Sequence, residues 1–308
     1  MKEKKRLNHH IHNGLLGSNE DDIQHFSWSS YHAQEQRVKD KHKDTSALMP
    51  LFNEKSNTHS MIKHSMDLVK TTMQYLNKNQ TPVMCFDQPL YTICKTIQWN
   101  WPEIYGEDKF VILMGLLHIE QSFLRILGQV LEGSGWVDLL ANSNIITEGS
   151  AESVTKVTHI LRARRMHQIS AATLYSLLID AHENEETDKT LHDWIDEKSK
   201  SSPMFKYWFM VLNLQILLLT FVRSVRSADF VIFKQSLKNM IPWYFLFSHY
   251  HYSRWLSVHI KDLEELQHKA PDVYEQFRLG KFLVQKSTRS FSALGVDHAH
   301  ESGAIGLT

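Results

Sequence analysis

Cysteine is scarce: Cys85 and Cys94 are the only two in 308 residues. A secreted scaffold stapled by disulfides is excluded on that count. Their spacing is too wide for a CxxC motif, and no second pair completes a zinc site. An excess of charge is also lacking, since Lys+Arg and Asp+Glu stand at 34 each. No whole-protein field therefore draws in nucleic acid or an anionic membrane, and any such role needs a local patch. The basic stretch Met1–Arg6 is not followed by an apolar run and does not read as a signal peptide; it reads as a solvated tail or a nuclear import signal. The one membrane-like run, Trp208–Val222, is shorter than the ~20 residues of a spanning helix and is interrupted by Asn213 and Gln215. It is expected to be a buried core helix, enclosed on most sides. None of GxxxxGK[ST], GxSxG, HExxH or GxGxxG occurs, so the ATPase, serine hydrolase, zincin and dinucleotide readings lack their signatures. No small-molecule cofactor is expected.

What is present is a hydrophobic fraction of 42% with 11% aromatics, the composition of a globular chain. The 19 histidines make its charge sensitive to pH near neutrality. Residues 1–58 are polar, His-rich and weakly periodic, so they are expected to be partly disordered, with a helix over Ser29–Lys43. Ile62, Met66, Val69 and Met73 recur at helical spacing in His59–Leu76. The pattern then changes to two short apolar runs, Val83–Phe86 and Phe110–Met114, each bounded by turn residues. These predict adjacent strands of one sheet, with residues 88–109 as the crossover and Asp87 and Gly115 at the same edge. A helix follows directly over His118–Leu131. The remainder reads as helical: Ala151–Ala181 as one long or broken helix, a charged loop over His182–Ser202 with at most one turn of helix, and helices over Met204–Ser224, Ala228–Met240 and Ser253–His268. Pro242 and Pro271 are read as breaks, and Phe282–Val284 as a late strand.

Asp87 stands at the end of a buried strand, where ligands and metals collect in α/β folds; the other reading is a turn cap before Pro89. His118 and Glu120 lie where the second strand gives way to a helix. His118 could ligate a metal or orient a carboxylate, and Glu120 is either a second acid or a complement to the helix dipole. Arg162 and Arg165 share a helix face, Arg223 and Arg226 repeat the spacing, and Arg254 adjoins Trp255. Arginine beside aromatic rings suits phosphates and stacked bases, whereas a solvated or salt-bridged face is the commoner meaning. His249–Tyr252 reads as a packed loop, and His192-Asp193 is a pair too common to identify a metal site.

Four blocks carry a resemblance: Phe86-Asp-Gln-Pro-Leu-Tyr91, Gln98-Trp-Asn-Trp-Pro102, Tyr105-Gly-Glu-Asp-Lys-Phe110 and Gly115-Leu-Leu-His-Ile-Glu120. It continues through Arg162-Ala-Arg-Arg165, Phe221-Val-Arg-Ser224, Tyr252-Ser-Arg-Trp255 and Val284-Gln-Lys286 to Asp297-His-Ala-His-Glu301. Over about residues 26–308 the chain resembles a family of transposon-derived proteins of invertebrate genomes. The resemblance implies an RNase H-like fold with a large helical insertion. It matches Asp87 to the first carboxylate of the family pattern, His118 to the histidine of its middle block and Glu301 to its third acid. Leu116 stands where the second carboxylate belongs, so Glu120 would have to substitute for it. The segment after Glu301 is shorter than in the family.

The expectation is an α/β fold with predominant helix: a small RNase H-like core over 59–308, with strands near 83–86, 110–114 and 282–284 and an insertion over about 150–270. The expected protein is intracellular, nuclear if DNA-associated and otherwise cytoplasmic. It is transposase-derived, without nuclease activity, and binds DNA weakly through Arg162, Arg165, Arg223, Arg226 and Arg254. An active form would use Mg²⁺ for DNA phosphoryl transfer, with Asp87, Glu120 and Glu301 as catalytic acids and Asp87, His118 and Glu120 as the metal set. The alternative is a helical interaction or scaffold protein with no nucleic-acid role.

Overall fold

A computed structural model of the chain describes residues 28–35, 42–45, 49, 55, 57–185 and 187–304. The basic start of the chain, residues 36–41 of the expected Ser29–Lys43 helix and the last four residues lie outside the described residues, and His42 and Lys43 are not helical. Helix dominates. In chain order the elements begin with α1 (Trp28–Glu35), α2 (His59–Leu76), β1 (Val83–Phe86), α3 (Gln88–Asn100), α4 (Pro102–Tyr105) and β2 (Val111–Met114). They continue through α5 (Leu116–Leu131), α6 (Trp136–Asn142), α7 (Ala151–Thr155), α8 (Ile160–Asn184), α9 (Leu191–Ser201) and α10 (Pro203–Ser227). The last are α11 (Phe230–Leu246), α12 (Tyr250–Lys269), α13 (Pro271–Arg278), β3 (Val284–Gln285), β4 (Ala293–Leu294) and α14 (Val296–Ala304). Two compact units result: residues 1–37 with 121–220, and residues 38–120 with 221–308. The boundaries fall inside α5 and α10, whereas the insertion was expected over about 150–270.

The second unit contains the β-structure. β1 and β2 pair in parallel with Val83 opposite Val111 and Phe86 opposite Met114, as the two apolar runs predict. Every residue of β2 is buried, the pattern of a strand covered on both faces. Helices α3 and α4 make the crossover. Asp87 is the N-cap of α3, accepting the Leu90 N–H at 3.1 Å, and Pro89 occupies the first turn, where its missing N–H costs nothing. Thr81, just before β1, is tied to α13 through the Asp272 carboxylate, which accepts its N–H at 2.7 Å and its hydroxyl at 3.1 Å.

The late strand is displaced from the expected position. Phe282 and Leu283 are buried, and Phe282 packs with Phe230, Phe233 and Phe277 at ring separations of 5.0–5.8 Å. Burial of these side chains moves the strand to Val284–Gln285. It pairs antiparallel with β4 in a separate sheet and does not extend β1–β2. Pro242 is not a break: it lies inside α11, which continues to Leu246. The expected loop over 182–202 contains α9, started by Thr190, whose hydroxyl accepts the Asp193 N–H, and anchored by the buried Trp194. The expected loop at His249–Tyr252 is the first turn of α12. Ala151–Ala181 is the broken case, interrupted around Val157, which has a φ of 58°.

In the first unit, Ala171, Leu178, Trp194, Leu212 and Leu219 form a buried cluster. Helix α10 is long and apolar enough to cross a membrane by length and composition, and just over half of its most apolar window is buried inside the protein. Its buried positions Val211, Leu212, Leu214, Gln215, Leu218, Leu219, Phe221 and Val222 cover one broad face, while Asn213, Ile216, Leu217 and Thr220 are half-buried. Enclosure on most sides is therefore corrected to burial of one broad face. The consequence is measurable within one helix turn. Leu218→Ala should cost about 2–5 kcal/mol in equilibrium unfolding, and Leu217→Ala roughly 1 kcal/mol. Equal losses at the two positions would show that the buried face is wrongly placed.

Candidate functional site at the edge of the parallel strands

The parallel register sends both following helices away from the same edge, so the N-termini of α3 and α5 lie side by side there. Gly115 N–H donates to Phe86 O at 2.7 Å, which fixes Asp87 and Gly115 as neighbours. Helix α14 brings a third group to the edge. One oxygen of Asp297, Oδ2, accepts the N–H of Leu117 at 2.8 Å and lies 3.4 Å from the His118 N and 3.2 Å from His118 Nδ1. The Asp297 carboxylate thus caps α5 from outside it, meeting the free N–H groups and the positive end of the helix dipole. Gly115 is required by this approach, because a Cβ on it would come within 2.5 Å of Asp297 Oδ2.

His118 is part-buried between two acids: Asp297 on its Nδ1 side, and Glu301 Oε1 3.9 Å from Nε2 on the other. The hydrogen bond to Asp297 raises its pKa above the ordinary histidine value; burial opposes this, and the charges of Asp297, Glu301 and Asp87 add to it. Cys85, one strand residue below Phe86, receives the Asp297 backbone N–H, and burial pushes its thiol pKa far up, so it is no nucleophile at neutral pH. Two tyrosines brace the same turn: Tyr252 donates to His118 O at 3.2 Å and Tyr244 to Ile119 O at 2.9 Å, with their rings stacked.

Four groups, Asp87, His118, Asp297 and Glu301, therefore share one edge. Glu120 does not join them. It is buried, and two residues along α5 from His118 it lies about 200° round the helix. Asp297 was missed as a site residue, although it opens the block Asp297-His-Ala-His-Glu301; nothing local in the sequence marks it as the partner of a helix start 180 residues away. The chain matches a domain of unknown function, DUF8702, over residues 27–201 and again over 183–304. The chain belongs to that family. No curated protein and no solved structure matches it.

Two of the acids at this edge are engaged with the backbone. Leu116 supplies no donor at the place where the resemblance puts the second acid. Asp297 Oδ2 is spent on α5 and His118, and Asp87 Oδ1 on Leu90. Among the described residues, no three His, Cys, Asp or Glu side chains are grouped to hold a metal ion. Asp297 Oδ1, buried without a hydrogen-bond partner, is the uncommitted oxygen of that carboxylate.

The arginines divide between the units. In the first, Arg162 and Arg165 are exposed on α8, with Arg162 donating to Ser150 Oγ at 3.3 Å, whereas Arg164 is buried. In the second, Arg223 and Arg226 are half-buried and have partners within the chain, and Arg254 is exposed beside Trp255, which stacks on Trp99. A buried polar cluster, also in the second unit, had no sequence signal at all. Lys95 is 1% exposed and pairs with Glu107 and, at 2.8 Å, with Asp262. Burial alone would raise Glu107, but hydrogen bonds from Lys269 and Lys95 outweigh it and hold its carboxyl at about 2.

The edge can be tested by titration. A histidine whose folded pKa lies above its unfolded value stabilises the fold fully below about pH 6.5 and loses that contribution as pH rises through the folded value. The His118 resonance should therefore titrate above 6.5, and Asp297→Asn should lower its midpoint. An unchanged midpoint in Asp297→Asn would break the assigned pairing.

Proposed function

We propose that the chain is a transposase-derived protein whose RNase H-type sheet edge has become a structural joint, and that it contacts DNA without cutting it. The observation that carries this reading is the meeting of Asp87, His118, Asp297 and Glu301 beside two parallel strands, with Leu116 in the place of the second acid. Parallel strands with acids at their C-terminal edge suit phosphoryl-transfer ancestry, because strand ends in α/β folds are where charged ligands gather. Loss of one acid and commitment of another to backbone N–H groups remove the means of holding two cations. Phosphate contacts need no such geometry. Exposed Arg162, Arg165 and Arg254 can neutralise a DNA backbone without any cation, and association with DNA would place the protein in the nucleus.

The half-burial of Arg223 and Arg226 favours a second reading, in which the arginines serve only the fold and the protein acts through other proteins. Two measurements separate these readings. Supercoiled plasmid incubated with the protein and Mg²⁺ or Mn²⁺ should remain uncut; nicking that disappears in Asp87→Ala would overturn the loss of catalysis. Duplex DNA should bind with a constant that falls by about one power of salt concentration per phosphate neutralised, more weakly in Arg162→Ala/Arg165→Ala. No affinity at physiological salt would support the interaction-protein reading instead.

A further inference from the structure

We propose that the cleft walled by α6, α8 and α10 in the first unit binds an uncharged, largely apolar small molecule. Its volume is about 510 Å³, within the roughly 300–1,000 Å³ of small-molecule sites. The cleft is lined by Trp136, Phe205, Trp208 and Phe209, with Leu139 and Leu177 at its rim. Those two leucines are 61% and 58% exposed, and Met204, which also borders the cleft, is 72% exposed. Apolar side chains clustered at such exposure leave in water a surface that a bound apolar molecule would remove from it.

The lining also says what the occupant is not. No charged side chain is part of it, so neither a carboxylate nor an ammonium group would find a counter-charge inside. Two of the wall's hydroxyls are committed. Ser170 Oγ accepts the Trp136 indole N–H at 2.7 Å, and Thr173 donates to Ile169 O at 3.1 Å. A ligand rich in hydrogen-bonding groups would leave them unpaired, whereas a hydrocarbon chain or ring system loses nothing. A partner protein would spread over about 800 Å² of surface on each side. The cleft is instead a concave site between three helices, with aromatic walls suited to a slender hydrocarbon.

This inference is independent of the reading of the sheet edge and of DNA binding. The full chain is titrated with Nile red, a neutral dye whose emission rises in apolar surroundings, and bound dye is then competed with hexadecanol or with hexadecanoate. Saturable one-to-one binding is expected, displaced better by the alcohol than by the anion. Leu177→Arg places a charge at the mouth of the cleft from an exposed position the fold tolerates, and should weaken dye binding at least about tenfold. Leu161→Arg, at a leucine 62% exposed on the same helix but outside the cleft, should leave it unchanged. Absence of binding, or equal binding by the two variants, overturns the proposal. Equal displacement by hexadecanoate overturns the uncharged class. A dimer of the parent chain that Leu177→Arg converts to monomer would show that a second copy covers the cleft, and overturns the small-molecule assignment.

Discussion

Asp297 accepts the backbone N–H of Leu117 with one carboxylate oxygen and meets the ring of His118 with the same oxygen, joining residues 180 positions apart. The sheet edge of the second unit is arranged around that contact. It caps α5, positions α14 against β1 through the N–H that Asp297 offers to Cys85, and requires that position 115 carry no side chain. The capping also gives the positive end of α5 an anion within the chain, so the helix dipole is met internally. The acids at this edge thus have structural work independent of any reaction. Asp87 does the same for α3 by accepting the Leu90 N–H.

Behind the edge, the second unit places charge in its interior. Lys95, Glu107, Asp262 and Lys269 satisfy one another, with Tyr91 donating to Asp262 and Trp99 to Glu107. Burial raises the Asp262 pKa despite its contact with Lys95, whereas Glu107, with two lysines, is held down. Buried ion pairs of this kind add little net stability over apolar packing, but removing one member leaves an uncompensated charge. His259 nearby is fully buried, and burial lowers its pKa to about 3, so the ring is neutral beside the Lys95 charge. A neutral histidine lets α12 pack against α3 without adding to that charge.

How much of this was legible in the sequence follows from the range of each interaction. The β1–β2 pair was readable because Val83–Phe86 and Phe110–Met114 are short apolar runs with turn residues at both ends, and a crossover of the right length separates them. The start of α9 was missed because its polar sequence has a capping threonine and a single buried anchor, Trp194, in place of an apolar period. Pro242 misled because proline usually ends a helix, yet α11 is packed on both sides of it, with Met240 and Tyr244 fully buried. At the site, Asp87 was legible as a cap through Pro89, and His118 through its place where the second strand gives way to a helix. Glu120 stands two steps along α5 from His118, which turns it to another face of the helix. Asp297 and the Lys95 cluster depend on long-range contacts that no local pattern encodes.

Leu116 packs at the start of α5, against the turn that carries Asp297. It is buried beside Gly295, where an added Cβ would stand 3.0 Å from Leu116 Cβ and 2.7 Å from Asp297 Oδ1. That second oxygen of Asp297 is buried and has no hydrogen-bond partner. A carboxylate at position 116 would add a second negative charge in the same neighbourhood, which is tolerable only if a cation or a proton is shared between them. With leucine there, the like-charge repulsion is gone, and Asp297 can commit its other oxygen to α5 and His118. Leucine at this position thus lets the sheet edge close on its own helix termini and histidine.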